Sequence, residues 1–129
     1  MNDKKQASRF AENQPAVPSA KPTNNQPITI AAGESLSTTL DLTSGALSLL
    51  ISPPQWTPAN ISLQVSDDNV TFSDLYEDGV EVLRPMGPAR ASIVPLSLTQ
   101  AACYLKIRSG PAANPVPQEA DRVFYCVIG

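Results

Sequence analysis

The sequence predicts an all-β protein, an antiparallel β-sandwich or jelly-roll-like domain behind an extended N-terminal arm. From residue 28 onward, apolar residues alternate with polar ones at a period of two, which is typical of half-buried strands. Turn-forming residues separate these runs, and about seven to nine short strands in a chain of 129 residues indicate a sandwich or jelly roll. Thirteen prolines against six glycines disfavour long helices.

Residues 1–27 differ in composition from the rest of the chain. They contain no glycine, a single aromatic residue and four prolines, namely Pro15, Pro18, Pro22 and Pro27. Such a segment buries too little apolar surface to offset the entropy of ordering it. We therefore predict an extended Pro-rich arm at 1–27, with a semi-rigid spacer at 15–27, and a β-sandwich domain at 28–129.

One apolar stripe interrupts the polar character of the arm. Ala7, Phe10 and Ala11 are spaced i, i+3 and i+4, which predicts a short helix over residues 4–13. A helix of that length is marginal in isolation, so a partner surface would have to stabilise it. We therefore expect these three residues to bind a partner.

The strands of the domain are predicted from alternating segments separated by glycine, proline and Asp-Asp-Asn turns. In chain order, the candidate strands are 36–42, 47–51, 61–65, 80–83, 92–98, 103–108 and 122–128. In the strand at 103–108, Cys103, Leu105 and Ile107 form the face expected to enter the core. The strand at 122–128 is apolar on both faces, which predicts either a central strand or one covered by another subunit and favours an oligomer.

The two cysteines have two possible interpretations. If the last two strands form an antiparallel hairpin with its loop centred near residues 114 and 115, Cys103 lies opposite Cys126. Both thiols would then be buried and reduced, or they would form a bridge after release into oxidising surroundings.

The charge distribution excludes two classes of partner. The net charge is −3, but residues 1–27 carry four basic and two acidic side chains, which leaves −5 on the domain. A body of that sign repels phosphate backbones and anionic lipid, so we expect neither nucleic-acid nor membrane binding. No long apolar run follows Met1, so we expect synthesis in the cytoplasm without a signal peptide.

The residue types disfavour catalysis. There is no histidine, which removes Ser-His-Asp and Cys-His nucleophiles and His-containing zinc sites. The glycines are isolated, so no phosphate-binding loop is formed. We therefore predict that the protein is not an enzyme and has no cofactor.

The acidic segment from Asp67 onward resembles a calcium loop only superficially. Asp67, Asn69, Thr71 and Asp78 match four positions of an EF-hand register, but Phe72 occupies the position where that turn needs glycine. A solvated hairpin turn is the preferred interpretation, and no metal is predicted.

Four residues in Pro-rich loops are candidates for an interface or a ligand site. Trp56 lies between Pro54 and Pro58, where its indole could stack on a sugar, enter an interface or close one end of the sandwich. Arg108, Asp121 and Arg122 flank the loop between the last two predicted strands, and Arg108 together with Asp121 or Arg122 could anchor its base.

Several segments together resemble small β-sandwich proteins of tailed-bacteriophage structural cassettes. The similarity spans roughly residues 28–128 and is carried by Pro54-x-Trp56-Thr57-x-Ala59-x-Ile61-x-Leu63-Gln64-x-Ser66-x-Asp68, Phe72-x-Asp74-Leu75-Tyr76, Tyr104-Leu105-Lys106-Ile107-Arg108-Ser109-Gly110 and Pro115-Val116-x-Gln118-x-Ala120-Asp121-Arg122. The resemblance implies a non-enzymatic virion protein, a head decoration protein or a head or collar fibre, in several copies. Its expected partners are capsid or neck proteins and further copies of itself, with a trimer favoured by analogy.

A second hypothesis comes from another functional class. A carbohydrate-binding β-sandwich module would use Trp56 and nearby tyrosines to stack on sugar rings. The two hypotheses differ in their dependence on the arm, because a binding module would keep its activity without residues 1–27.

Overall fold

The computed structural model describes residues 24–129, which form eleven short β-strands and one short 3-10 helix at Leu96–Leu98. The strands are β1 Asn24–Ile30, β2 Leu40–Asp41, β3 Leu47–Ile51, β4 Ile61–Ser66, β5 Ser73–Asp74, β6 Tyr76–Glu77, β7 Val80–Glu81, β8 Leu83–Arg84, β9 Ala91–Ile93, β10 Tyr104–Ser109 and β11 Arg122–Ile128.

The strands form two principal antiparallel sheets that pack together. The first sheet has the order β1-β11-β3-β9. The second has the order β2-β10-β4-β5, and β8 also pairs with β4. Strands β6 and β7 form a separate two-stranded hairpin. The predicted all-β, sandwich-like fold is therefore confirmed.

The core lies between the two sheets and follows the alternation of the sequence. Leu105 and Ile107 are fully buried, as predicted for β10, and face Val65 and Leu63 in the register of the adjacent strand. The first sheet contributes Ile28, Ile30, Leu47, Leu50, Phe124, Cys126 and Ile128, which alternate along their strands except where a register shift separates Leu47 from Leu50. Burial of these aliphatic side chains, each contributing about 1.5–3 kcal/mol, is the main favourable term in folding.

The sheet begins four residues before the predicted start of the domain, in a strand that the sequence did not predict. β1 starts at Asn24 and pairs with the whole of β11, so residues 24–27 belong to the sheet and not to the arm. Pro27 is tolerated there because β1 is the outermost strand, where a missing N–H costs little. The remainder of the predicted arm, with Ala7, Phe10 and Ala11, lies outside the described residues.

The hairpin considered for the last two strands does not form. β10 pairs with β2 and β4, whereas β11 pairs with β1 and β3, so the two strands lie in different sheets. The connecting segment crosses from one sheet to the other, and its Gln118 is almost fully buried. Cys103 and Cys126 are therefore not cross-strand neighbours, and both are free thiols. Burial raises the pKa of the Cys126 thiol to about 12, so it packs as a small apolar side chain.

Candidate functional site

The outward-facing side of the first sheet is an uncharged and largely apolar surface, which we call the outer face. Its ten residues are those that alternate with the core residues of the four strands. In the strand register they form one row of Pro27, Tyr125, Ile51 and Ala91, a second row of Asn25, Val127, Leu49 and Ile93, and the pair Thr29 and Val123. Side chains directly opposite each other in such rows contact one another across the strands.

No residue of the outer face carries a charge. Ile93 and Tyr125 are 76% and 49% exposed, and the other apolar side chains in the centre of the face are partly exposed. Single exposed apolar residues are common on protein surfaces, but a contiguous uncharged patch across four strands is typical of an interaction surface. The outer face is therefore the best candidate for a functional site among the described residues.

The second sheet presents a different surface. Its outward positions include Lys106, Gln64, Asp74 and Asp41, so charged and polar groups cover this side of the sandwich. The ammonium group of Lys106 lies 4.4 Å from the centre of the Phe72 ring, in cation–π geometry. The contrast between the sheets shows that the apolar character of the outer face is not a general property of this small domain.

Arg108 lies on the polar sheet and is buried beneath two carboxylates. Its Nη2 donates to Asp74 Oδ1 at 2.9 Å and to Glu81 Oε2 at 3.3 Å, and its Nε donates to Ser62 Oγ at 3.0 Å. Glu81 also accepts the backbone N–H of Ala112 at 2.9 Å. Arg108 therefore anchors the base of the long loop, as predicted, but through Asp74 and Glu81 instead of the expected Asp121 or Arg122.

Asp121 and Arg122 lie at the other end of that loop and have structural partners of their own. Asp121 Oδ1 accepts the backbone N–H of Ala32 at 2.8 Å. Arg122 donates from Nε to Gln118 Oε1 at 3.0 Å and from Nη2 to Thr57 Oγ1 at 3.3 Å. The four predicted loop residues are thus not brought together into one site.

Trp56 closes the sandwich and does not form an exposed platform. It is only 8% exposed, and its Nε1 donates to the carbonyl of Ala59 at 3.0 Å. A sugar ring cannot stack on an indole that is already packed within the core. The geometry therefore favours the interpretation that Trp56 closes one end of the sandwich. The carbohydrate-binding hypothesis loses the residue on which it mainly depended.

The acidic turn is a tight hairpin connection between β4 and β5. Asp68 Oδ1 accepts the backbone N–H groups of Val70 and Thr71, both at 2.9 Å, and Asn69 adopts a left-handed φ of 62°. These hydrogen bonds hold the pKa of Asp68 below its usual value. A groove of about 470 Å³ separates this turn from the 3-10 helix. The Asp68 carboxylate that lines it already accepts the two backbone N–H groups.

In residues 24–129, no three His, Cys, Asp or Glu side chains are grouped so that they could hold a metal ion. No helix in that part of the chain is long and apolar enough to cross a membrane. Comparison with protein-family models, curated proteins and solved structures found no match.

Only part of the outer face was foreseen from the sequence. The apolar outward positions of β11 predicted a central strand or a covered one, and β11 is central in its sheet. Leu49 and Ile51 belong to an alternating segment that was identified, but its pairing with β11 was not. Ile93 was expected within a longer strand at 92–98, which instead ends at residue 93 before the 3-10 helix.

Proposed function

We propose that the protein is a non-enzymatic structural component of a bacteriophage virion, displayed on the particle as a head decoration or a head or collar fibre protein. In this proposal the outer face joins copies of the chain, with a trimer favoured, and the N-terminal arm attaches the oligomer to a capsid or neck protein. The uncharged outer face is the observation that carries the proposal. The resemblance of the strand and turn segments to phage structural proteins supplies the virion context.

The charge pattern supports association between copies through this face. Each domain is acidic, so two copies repel each other unless their contact surface excludes the charged side chains. The outer face meets this requirement, whereas the opposite sheet presents Asp41, Asp74 and Lys106. In a trimer, three such faces would turn towards a common axis and remove their aliphatic side chains from water.

The size of the outer face indicates that it does not act alone. Four strands at a spacing of about 4.8 Å and a length of about 20 Å cover roughly 400 Å². A stable interface buries about 800 Å² on each partner, so the face supplies about half of the required area. Additional contacts must come from neighbouring segments, and the arm enters the sheet at Asn24, beside Asn25 and Pro27 of the outer face.

The first test of the proposal is the oligomeric state of the full chain. We expect sedimentation velocity to show a trimer for the natural sequence and dissociation for Ile51→Glu or Val127→Glu, because each places a charge in the centre of the outer face. Gln100→Glu adds the same charge at an exposed position outside the outer face and should leave the trimer intact. A natural chain that stays monomeric at high concentration would contradict the proposal.

The second test addresses attachment to particles. Electron microscopy of purified particles with and without this protein should reveal a density that depends on it. A truncation that removes residues 1–23 leaves β1 complete, and we expect it to fold but not to attach. Phe10→Ala should weaken attachment, since one buried Phe contributes about 1.5–3 kcal/mol and several arms act together. Equal decoration by the truncated chain would show that the domain itself docks.

A further inference from the structure

A narrow cavity opens between the two sheets at the edge formed by β8 and β9. Its volume is about 260 Å³, and Leu47, Leu50, Ile61 and Leu63 line its inner end. These four core residues are at most 2% exposed, so the open volume lies mainly towards the opening. Met86, an adaptable side chain, lies beside the opening.

Two arginines lie at this opening on inward-facing positions of the strands. Arg84 is opposite Ile61 in the β8–β4 register, on the same side of the sheet as that core residue. Arg90 lies two residues before Ser92, so the two side chains are on the same side of the sheet. Ser92 pairs with the core residue Leu50, which makes this side the inward one. Both arginines line the cavity, so two cations stand beside an apolar interior.

Among residues 24–129, the two guanidinium groups contact backbone groups and meet no carboxylate. Arg84 Nη2 donates to the carbonyl of Ile93 at 3.3 Å, which connects the edges of the two sheets. The Arg90 guanidinium lies against Gly87, where an added Cβ would be 2.5 Å from Arg90 Cζ. Within residues 24–129, the ion pairs involve Arg108 and the carboxylates Asp74 and Glu81, and neither Arg84 nor Arg90 has a carboxylate within 4 Å.

We propose that this cavity binds an aliphatic monocarboxylate, with the carboxylate at Arg84 and Arg90 and the alkyl chain against the apolar lining of the opening. A volume of about 260 Å³ is slightly below the range of about 300–1,000 Å³ of small-molecule pockets, which favours a small ligand. Arginine binds carboxylates through paired N–H donors, which matches the two unneutralised cations at the opening. This inference is independent of the proposed virion role.

The competing explanation is protection of the sheet edges. β8 and β9 are outer strands, and inward-pointing charges on such strands discourage edge-to-edge association. That role requires no ligand and no cavity behind the charges. Ligand binding and the solution state of the arginine variants therefore distinguish the two explanations.

The test uses the full chain with decanoate as the probe, below its micelle concentration, and follows side-chain methyl groups by NMR. We expect saturable shifts at Leu50 and Ile61 and weaker binding of decanol, which lacks the charge. Arg84→Gln and Arg90→Gln should each raise the Kd about three- to fivefold, and the double variant about tenfold or more. Ser92→Leu, which fills the cavity from β9, should abolish the shifts.

The matched control is Lys106→Gln, which removes one positive charge on the opposite sheet and should leave the Kd unchanged. Each variant is first checked for a native-like NMR spectrum, and the two single arginine variants report independently of each other. Absence of methyl shifts with decanoate, or shifts that the double arginine variant retains in full, would overturn the proposal. Self-association of the arginine variants together with no decanoate binding would assign both residues to edge protection.

Discussion

The indole of Trp56 packs edge-on against the ring of Phe124, with 5.2 Å between the ring centres and 84° between the planes. This pair connects the Pro-rich loop after β3 to the central strand of the first sheet. Edge-to-face pairs of this kind contribute about 0.5–1.5 kcal/mol beyond the burial of their area. The contact therefore gives Trp56 a structural role at the end of the core.

Replacing Trp56 should destabilise the domain in two steps. We expect Trp56→Phe to lower the free energy of unfolding by about 1–2 kcal/mol, because the Ala59 carbonyl loses its donor. Trp56→Ala should cost about 3–5 kcal/mol, since it also leaves a cavity beside Phe124. Urea denaturation followed by circular dichroism measures both. Tyr76→Ala, at an exposed position, should change the free energy by no more than about 0.5 kcal/mol.

Arg108 provides a test of the polar cluster on the second sheet. Arg108→Gln leaves Asp74 and Glu81 without their cation, and we expect a loss of about 3 kcal/mol in the free energy of unfolding. Lys106→Gln removes the same charge two residues away on the same strand. It should cost about 0.5–1 kcal/mol, the value of an exposed cation–π contact. Equal losses for the two variants in urea would contradict the anchoring role.

Gln118 holds the long loop against the loop that carries Trp56. Its amide accepts from the Thr57 N–H and the Arg122 Nε, and it donates to the Thr57 carbonyl and to Ser109 Oγ. Gln118→Leu leaves these buried groups without partners, so we expect a loss of about 2–4 kcal/mol. Amide hydrogen exchange should accelerate at Thr57 in particular. The exposed Gln100→Leu is the control, and an unchanged exchange rate at Thr57 would refute this arrangement.

The sequence predicted which side of most strands enters the core, because that information is local. Leu105 and Ile107 have the expected alternation and are buried. Strand partners are not local information, and the assumption that consecutive strands pair placed β10 beside β11. In the structure, the loop between them crosses the sandwich, and a buried glutamine satisfies the backbone groups along this path. No periodicity in the sequence indicates such a crossing.

The same distinction applies to the candidate site. Each strand of the outer face shows uncharged outward positions in its own alternation, but only the register aligns Tyr125 with Ile51 and Val127 with Leu49. The inward position of Arg84 likewise follows from its pairing with β4, since its own strand has only two residues. The arginine pair of Arg84 and Arg90 therefore had no signal in the sequence.

Stability should depend on pH through Asp68. The backbone N–H groups of Thr71 and Val70 favour the ionised carboxylate, which lowers its pKa in the folded state relative to the unfolded chain. The resulting stabilisation is present above the unfolded pKa, near 3.8, and is lost as the pH falls through the lower folded value. Asp68→Asn removes this titration. We therefore expect the natural chain to be more stable than Asp68→Asn at neutral pH, with the difference shrinking as the solution is acidified below about pH 4.

The measurement is a series of urea denaturation curves between pH 7 and pH 2 for both chains. Asp67→Asn is the matched control, because it removes a neighbouring exposed carboxylate that holds neither of these backbone groups. Asp41 should behave like Asp68, since its hydrogen bonds from the Thr43 hydroxyl and backbone N–H also lower its pKa. A difference between the natural chain and Asp68→Asn that stays constant down to pH 2 would mean that the turn does not depend on the charge of this carboxylate.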